Sequence, residues 1–163
     1  MLDEQNDFLG FSMSQTKYKA NVPASAIKDF DELRQSGERL LHNLNEAFNE
    51  NLGYNSKSVE WLDQYISKIR DITPEEYNKN LVGAIGYILG QSIIEKYGGK
   101  WQYFDEYHQW IVDVGEPVGM ANPIGKVQKY FFDYLDSIGG FFEVIELVKQ
   151  KGSWNIGRKG NEL

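Results

Sequence analysis

Three glycines, Gly83, Gly86 and Gly90, recur at spacings of three and four inside the most apolar stretch of the chain, residues 81–94. In a helix this spacing sets them in one bare stripe. A glycine in a helix interior costs about 1 kcal/mol against alanine, so a fold that keeps three must offset the loss through close packing on that stripe. The pattern predicts a central helix over residues 74–97 with another element seated against its backbone. Small residues at this spacing also occur in membrane helix dimers. Here Gln91, Ser92 and the glycines interrupt the stretch, which falls well short of the roughly 20 apolar residues needed to cross a bilayer. It reads as a buried helix of a soluble protein, and no membrane partner is expected.

The start of this helix carries a strong local signal. Thr73-Pro74-Glu75-Glu76 sets Thr at the N-cap, Pro at the first helical position and Glu at the third, a capping box. Gly98-Gly99 supplies the left-handed residue that commonly ends a helix. Upstream, Ile27, Phe30, Leu33, Leu40, Leu41, Leu44, Ala47 and Phe48 recur mostly at three- and four-residue intervals from the cap-type Ser25, predicting a long amphipathic helix that ends near Gly53. A second helix is expected over residues 58–71, where Val59, Leu62, Tyr65, Ile66 and Ile69 share a face.

After Gly99 the pattern switches to aromatic and β-branched residues, Lys100-Trp101-Gln102-Tyr103-Phe104-Asp105 and His108-Gln109-Trp110-Ile111-Val112-Asp113-Val114, on either side of a short polar turn. This is an antiparallel hairpin. Trp110, Val112 and Val114 alternate with Gln109, Ile111 and Asp113, which predicts one buried face and one partly wet face. A third short strand is expected at residues 117–120. Asn122-Pro123 opens a helix over residues 124–135, and Asp136-Ser137 precedes a last helix through Phe141, Phe142, Val144, Ile145 and Val148. The fold class is α+β, mainly helical, with about five helices and a hairpin or three-stranded antiparallel sheet around residues 100–120. Residues 1–23 are expected to form an arm, loose or docked, closed by Pro23, residues 24–150 one domain, and residues 151–163 a loose tail with Trp154 and Ile156 as candidate anchors.

Composition narrows the function. The 163 residues include no cysteine, which removes thiol nucleophiles, CxxC redox chemistry and cysteine-ligated zinc. Seventeen Lys and Arg against 24 Asp and Glu give a net charge of −7, the wrong sign for a main partner with a phosphate backbone, so nucleic acid is excluded from the expected partners. Residues 24–72 carry −3 and residues 73–123 carry −4, against −1 for residues 1–23 and +1 for residues 124–163. Acids near the amino terminus, where a secretory signal carries Lys or Arg, place the protein in the cytoplasm.

The groupings that carry chemistry are sparse. His42 and Glu46 are four apart on one helix face, but zinc needs further ligands and no HExxH cluster is present. Asp105-Glu106-Tyr107-His108 puts carboxylates beside an imidazole, as acid–base work requires, yet neighbours along a turn point in different directions. Ser92 lies within the helical pattern rather than in a GxSxG elbow, and no Walker or Rossmann glycine loop follows a strand. Asp113 and Glu116 are a carboxylate pair of the kind a glycosidase uses, at a density any acidic surface reaches. No catalytic residue, metal or cofactor is assigned. Trp101, Tyr103 and Trp110 belong to the packing between hairpin and helix, or else to recognition.

An ordered series of motifs carries a resemblance: Val59-Glu60-Trp61-Leu62-Asp63-Gln64-Tyr65-Ile66, Gly86-Tyr87-Ile88-Leu89-Gly90-Gln91, Gly98-Gly99-Lys100-Trp101, Trp110-Ile111-Val112, Asn122-Pro123-Ile124-Gly125-Lys126-Val127-Gln128-Lys129 and Asp136-Ser137-Ile138. Over about residues 59–148 the chain resembles an uncharacterised bacterial family, a domain of unknown function. The resemblance implies an α+β architecture and no catalytic residue.

The leading expectation is a non-enzymatic protein-binding domain, an immunity protein that neutralises a basic toxin, with Asp105, Glu106, Asp113 and Glu116 at the contact. The alternative is a small hydrolase or ligand-binding protein whose pocket lies between the hairpin and the glycine-striped helix, near Trp101, Trp110 and Asn122.

Overall fold

A computed structural model describes residues 27–135 and 137–152. Among them the chain order is α1 (Phe30–Phe48), α2 (Ser56–Ile69), α3 (Glu75–Tyr97), β1 (Lys100–Phe104), β2 (Gln109–Asp113), β3 (Met120–Ala121), α4 (Pro123–Phe132) and α5 (Ile138–Lys151). The fold is α+β and mainly helical, with one antiparallel sheet in the order β1-β2-β3. The arm over residues 1–23 and nearly all of the tail over 151–163 lie outside the described residues.

α3 is the central helix. It is buried around its whole circumference, from Tyr77 and Asn78 through Leu81, Ile85 and Ile88 to Ser92 and Ile93, as a helix enclosed by neighbours must be. It packs most extensively on α4 and α1 and also touches α2, α5 and β2. The glycine stripe supplies the close approach. A Cβ on Gly86 would stand 2.9 Å from the Ile124 backbone at the start of α4, and one on Gly90 would meet the Trp101 ring and, at 3.0 Å, Pro123.

Local chemistry sets the helix ends, and several differ from expectation. α1 begins at Phe30 because Asp29, extended at the N-cap, accepts a 2.9 Å hydrogen bond from the Asp31 amide. It ends at Asn49 rather than near Gly53: Asn49 is left-handed at φ 52°, and the Asn45 amide pairs with both backbone groups of Leu52. α2 starts at Ser56, two residues early, because Asn55 caps the Ser58 amide at 2.9 Å.

The Thr73 capping box does not form. Pro74 precedes the first helical residue with no side-chain cap, and the Thr73 hydroxyl instead faces the Ile69 carbonyl at 2.7 Å and Asn78 Oδ1 at 2.6 Å. Two acceptors compete for that one proton. Thr73 thus closes the end of α2, where the Ile69 carbonyl also takes the Thr73 amide, and it serves the buried Asn78 side chain. The acids at the start of α3 are where the sequence put them, Glu75 pairing with Lys79 at 3.2 Å.

The hairpin pairs Lys100 with Asp113, Trp101 with Val112, Tyr103 with Trp110 and Phe104 with Gln109. Gly98 and Gly99, at φ +82° and +119°, carry the chain from α3 into β1, and a Cβ on Gly99 would stand 3.1 Å from Val114 Cα. The expected wet face of β2 is not wet: Gln109 and Ile111 are buried, whereas Trp110 is half-buried. Gln109 tolerates burial because its side-chain oxygen accepts from Asn122 Nδ2 at 2.8 Å. The third strand is Met120–Ala121, not residues 117–120. Pro117 has no amide to donate, and Gly115 and Gly119, both at positive φ, close a turn through the Gly119 amide and the Gly115 carbonyl.

α4 opens as expected, with Asn122 accepting from the Gly125 amide at 2.9 Å and Pro123 in the first turn. It stops at Phe132, three residues short, where Tyr134 turns left-handed at φ 55° and the Leu135 amide reaches back to Lys129. Ser137 caps α5 through the Gly140 amide at 3.0 Å, and the helix runs on to Lys151. Asp136 lies outside the described residues.

Candidate functional site

The four carboxylates expected at a contact surface fall into two pairs. Asp105 and Glu106 are exposed in the turn between β1 and β2, held by the Tyr107 amide to the Phe104 carbonyl at 3.2 Å and the His108 amide to the Asp105 carbonyl at 3.3 Å. Asp113 and Glu116 stand at the other end of the ribbon. Gln109 and Asp113, the two ends of β2, are four residue steps apart, roughly 13 Å at 3.3 Å per residue. Asp113 is half-buried, and its Oδ1 accepts the Gly115 amide at 3.0 Å, whereas Glu116 is exposed. Among the described residues none of the four carboxylates joins an ion pair. Tyr107, 66% exposed, stands between the acids and His108 and stacks on Phe104 at 6.4 Å.

The expected pocket residues are drawn into packing. Trp101 stacks on Tyr87, centroids 5.7 Å apart at 7°, and its indole N–H donates to Gln91 Oε1 at 3.2 Å. Its ring covers Gly90. Trp110 meets Tyr103 edge-on at 5.3 Å and Phe30 at 5.0 Å, and Phe30 also reaches Trp101 at 6.0 Å and Tyr87 at 6.1 Å. Asn122 divides its side chain between the α4 cap and Gln109.

Phe30 therefore links both indoles, a role that its helical spacing did not reveal because its partners lie some 70 residues onward. The segment before it adds two contacts. The Lys28 carbonyl accepts from Trp110 Nε1 at 3.1 Å, and the Lys28 ammonium lies 5.8 Å above the Tyr103 ring.

Other candidates find structural roles. His42 Nε2 and Glu46 are 3.3 Å apart on the exposed side of α1, and no group of three or more metal-type side chains occurs among the described residues. Ser92 is buried with its hydroxyl donating to the Ile88 carbonyl at 2.7 Å. His108 is exposed at φ +50° in the turn. Hydrogen bonds to Glu38 and Glu146 raise Arg34 and Lys96, and the other perturbed groups are tyrosines. Burial pushes Tyr54 up to about 12, helped by Tyr87 and Glu38, and pushes Tyr130 up to about 12, helped by its hydrogen bond to Asp63. Burial alone raises Tyr65. No helix among the described residues is long and apolar enough to cross a membrane.

Compared with protein-family models, curated proteins and solved structures, the chain finds no match in any of the three. What the molecule presents is a two-stranded ribbon with carboxylates at both ends and a half-buried aromatic pair between them.

Proposed function

We propose that the chain is a non-enzymatic protein-binding domain of bacterial origin, an immunity protein that neutralises a basic toxin in the cytoplasm. The resemblance over residues 59–148 is to a family of unknown function and bears on the architecture alone. The observation that carries it is the hairpin, whose carboxylates Asp105, Glu106, Asp113 and Glu116 enter no ion pair among the described residues while the chain as a whole is at −7. Unpaired surface acids contribute little to folding, whereas they steer a basic partner and raise its association rate. An exposed tyrosine, Tyr107, beside Asp105 and Glu106 in the turn suits an interface.

The test is co-expression with the polypeptide encoded immediately upstream of this chain's gene. The reading expects that polypeptide to arrest bacterial growth alone, growth to be restored by this chain, and the two to elute as one complex. Growth arrest that the chain does not relieve, with the two eluting separately, overturns it.

A further inference from the structure

One ring of the aromatic pair between the two acidic ends, that of Tyr103, already has an ammonium over it. The Lys28 ammonium lies 5.8 Å from the Tyr103 centroid, and Trp110 stands edge-on to that same ring at 5.3 Å. Tyr103 and Trp110 are cross-strand partners one step from Phe104 and Gln109, beyond which the turn carries Asp105 and Glu106. Rings that attract an ammonium through their negative faces thus sit beside two unpaired carboxylates. Lys28 is exposed and enters no ion pair among the described residues, so its side chain can leave without breaking one. Trp110 is held independently, through the Lys28 backbone carbonyl and the Phe30 ring.

We propose that the Tyr103–Trp110 face is a docking platform for a lysine or arginine side chain of a basic protein partner, and that Lys28 occupies it as an internal stand-in until the partner displaces it. This rests on the reading of the hairpin as the partner-binding element and names the side chain that element recognises.

Hexalysine peptide is the probe, titrated into the full chain and followed through the Trp110 indole N–H resonance. Lys28→Ala is compared with Lys57→Ala, an exposed substitution of equal charge on α2. The platform predicts that Lys28→Ala binds about threefold more tightly than Lys57→Ala, and that Tyr103→Leu, which keeps apolar bulk, binds about threefold more weakly than the native chain. Equal affinities for the two lysine variants, or full affinity in Tyr103→Leu, overturn the platform. Asp105→Asn with Glu106→Gln separates the two claims: if this variant alone loses the peptide, the acidic hairpin stands and the platform falls. If no variant alters binding, or the native chain binds no peptide, both fall.

Discussion

The indole of Trp101 stacks on the ring of Tyr87 at 5.7 Å and nearly parallel, directly over the bare backbone of Gly90. The relationship joins the central helix to the sheet and accounts for a glycine in a helix interior. A methyl group at position 90 would occupy space the indole fills, and one at position 86 would press on the Ile124 backbone.

Gly90→Ala and Gly86→Ala are therefore expected to destabilise the protein. Alanine's better helix propensity returns about 1 kcal/mol, but overpacking a close contact costs typically 1–3 kcal/mol. Backbone at Ile124 yields less readily than the edge of a ring, so Gly86→Ala should be the more damaging. Urea unfolding midpoints of the two variants measure the order, and a stabilised Gly86→Ala would contradict it.

Asp63 is expected to matter out of proportion to its half-exposed position. Its Oδ1 accepts from the Tyr130 hydroxyl at 2.8 Å and its Oδ2 from the Gly139 amide at 2.8 Å, tying α2 to α4 and to the first turn of α5. Asp63→Ala leaves the Gly139 amide without its acceptor and should cost about 1–3 kcal/mol in chemical unfolding. Asp63→Asn, which keeps one acceptor oxygen, should cost less.

Stability is expected to decline in alkali. The unfolded chain releases tyrosine protons near pH 10, while folded Tyr54 and Tyr130 hold theirs to about 12. Between those values the unfolded state binds fewer protons than the folded one, so the contribution is fully present below pH 10 and is lost as pH rises toward 12. Tyr54→Phe removes one of the two groups, and its unfolding free energy should fall less steeply over that interval. An unchanged slope would show that Tyr54 titrates alike in both states.

The helical half of the fold was legible because its signals are local and periodic. The glycine stripe marked α3 by its spacing, and Asn122 and Ser137 marked the starts of α4 and α5, each through a side chain that caps an amide three residues on. Failures came where a side chain had an alternative partner outside the three-residue reach of a cap. Thr73 has the spacing of an N-cap, but the buried Asn78 and the end of α2 compete for its hydroxyl. Gln109 sits at a position the alternation made wet, yet Asn122 makes its burial affordable. The aromatic end of the hairpin depends on Lys28 and Phe30, whose contacts with it span more than 70 residues and leave no mark in local spacing.

The central claim is that the hairpin carboxylates engage a basic partner. The direct measurement is calorimetric titration of the polypeptide encoded immediately upstream into the native chain and into a variant with Asp105, Glu106, Asp113 and Glu116 all changed to Lys. Alongside it, each end is reversed separately, because the two pairs stand at opposite ends of the ribbon. The account predicts that the fourfold variant, still folded by its unfolding transition, loses tenfold or more in affinity, an estimate of roughly 1.4 kcal/mol or more. An affinity unchanged by reversing all four would contradict it.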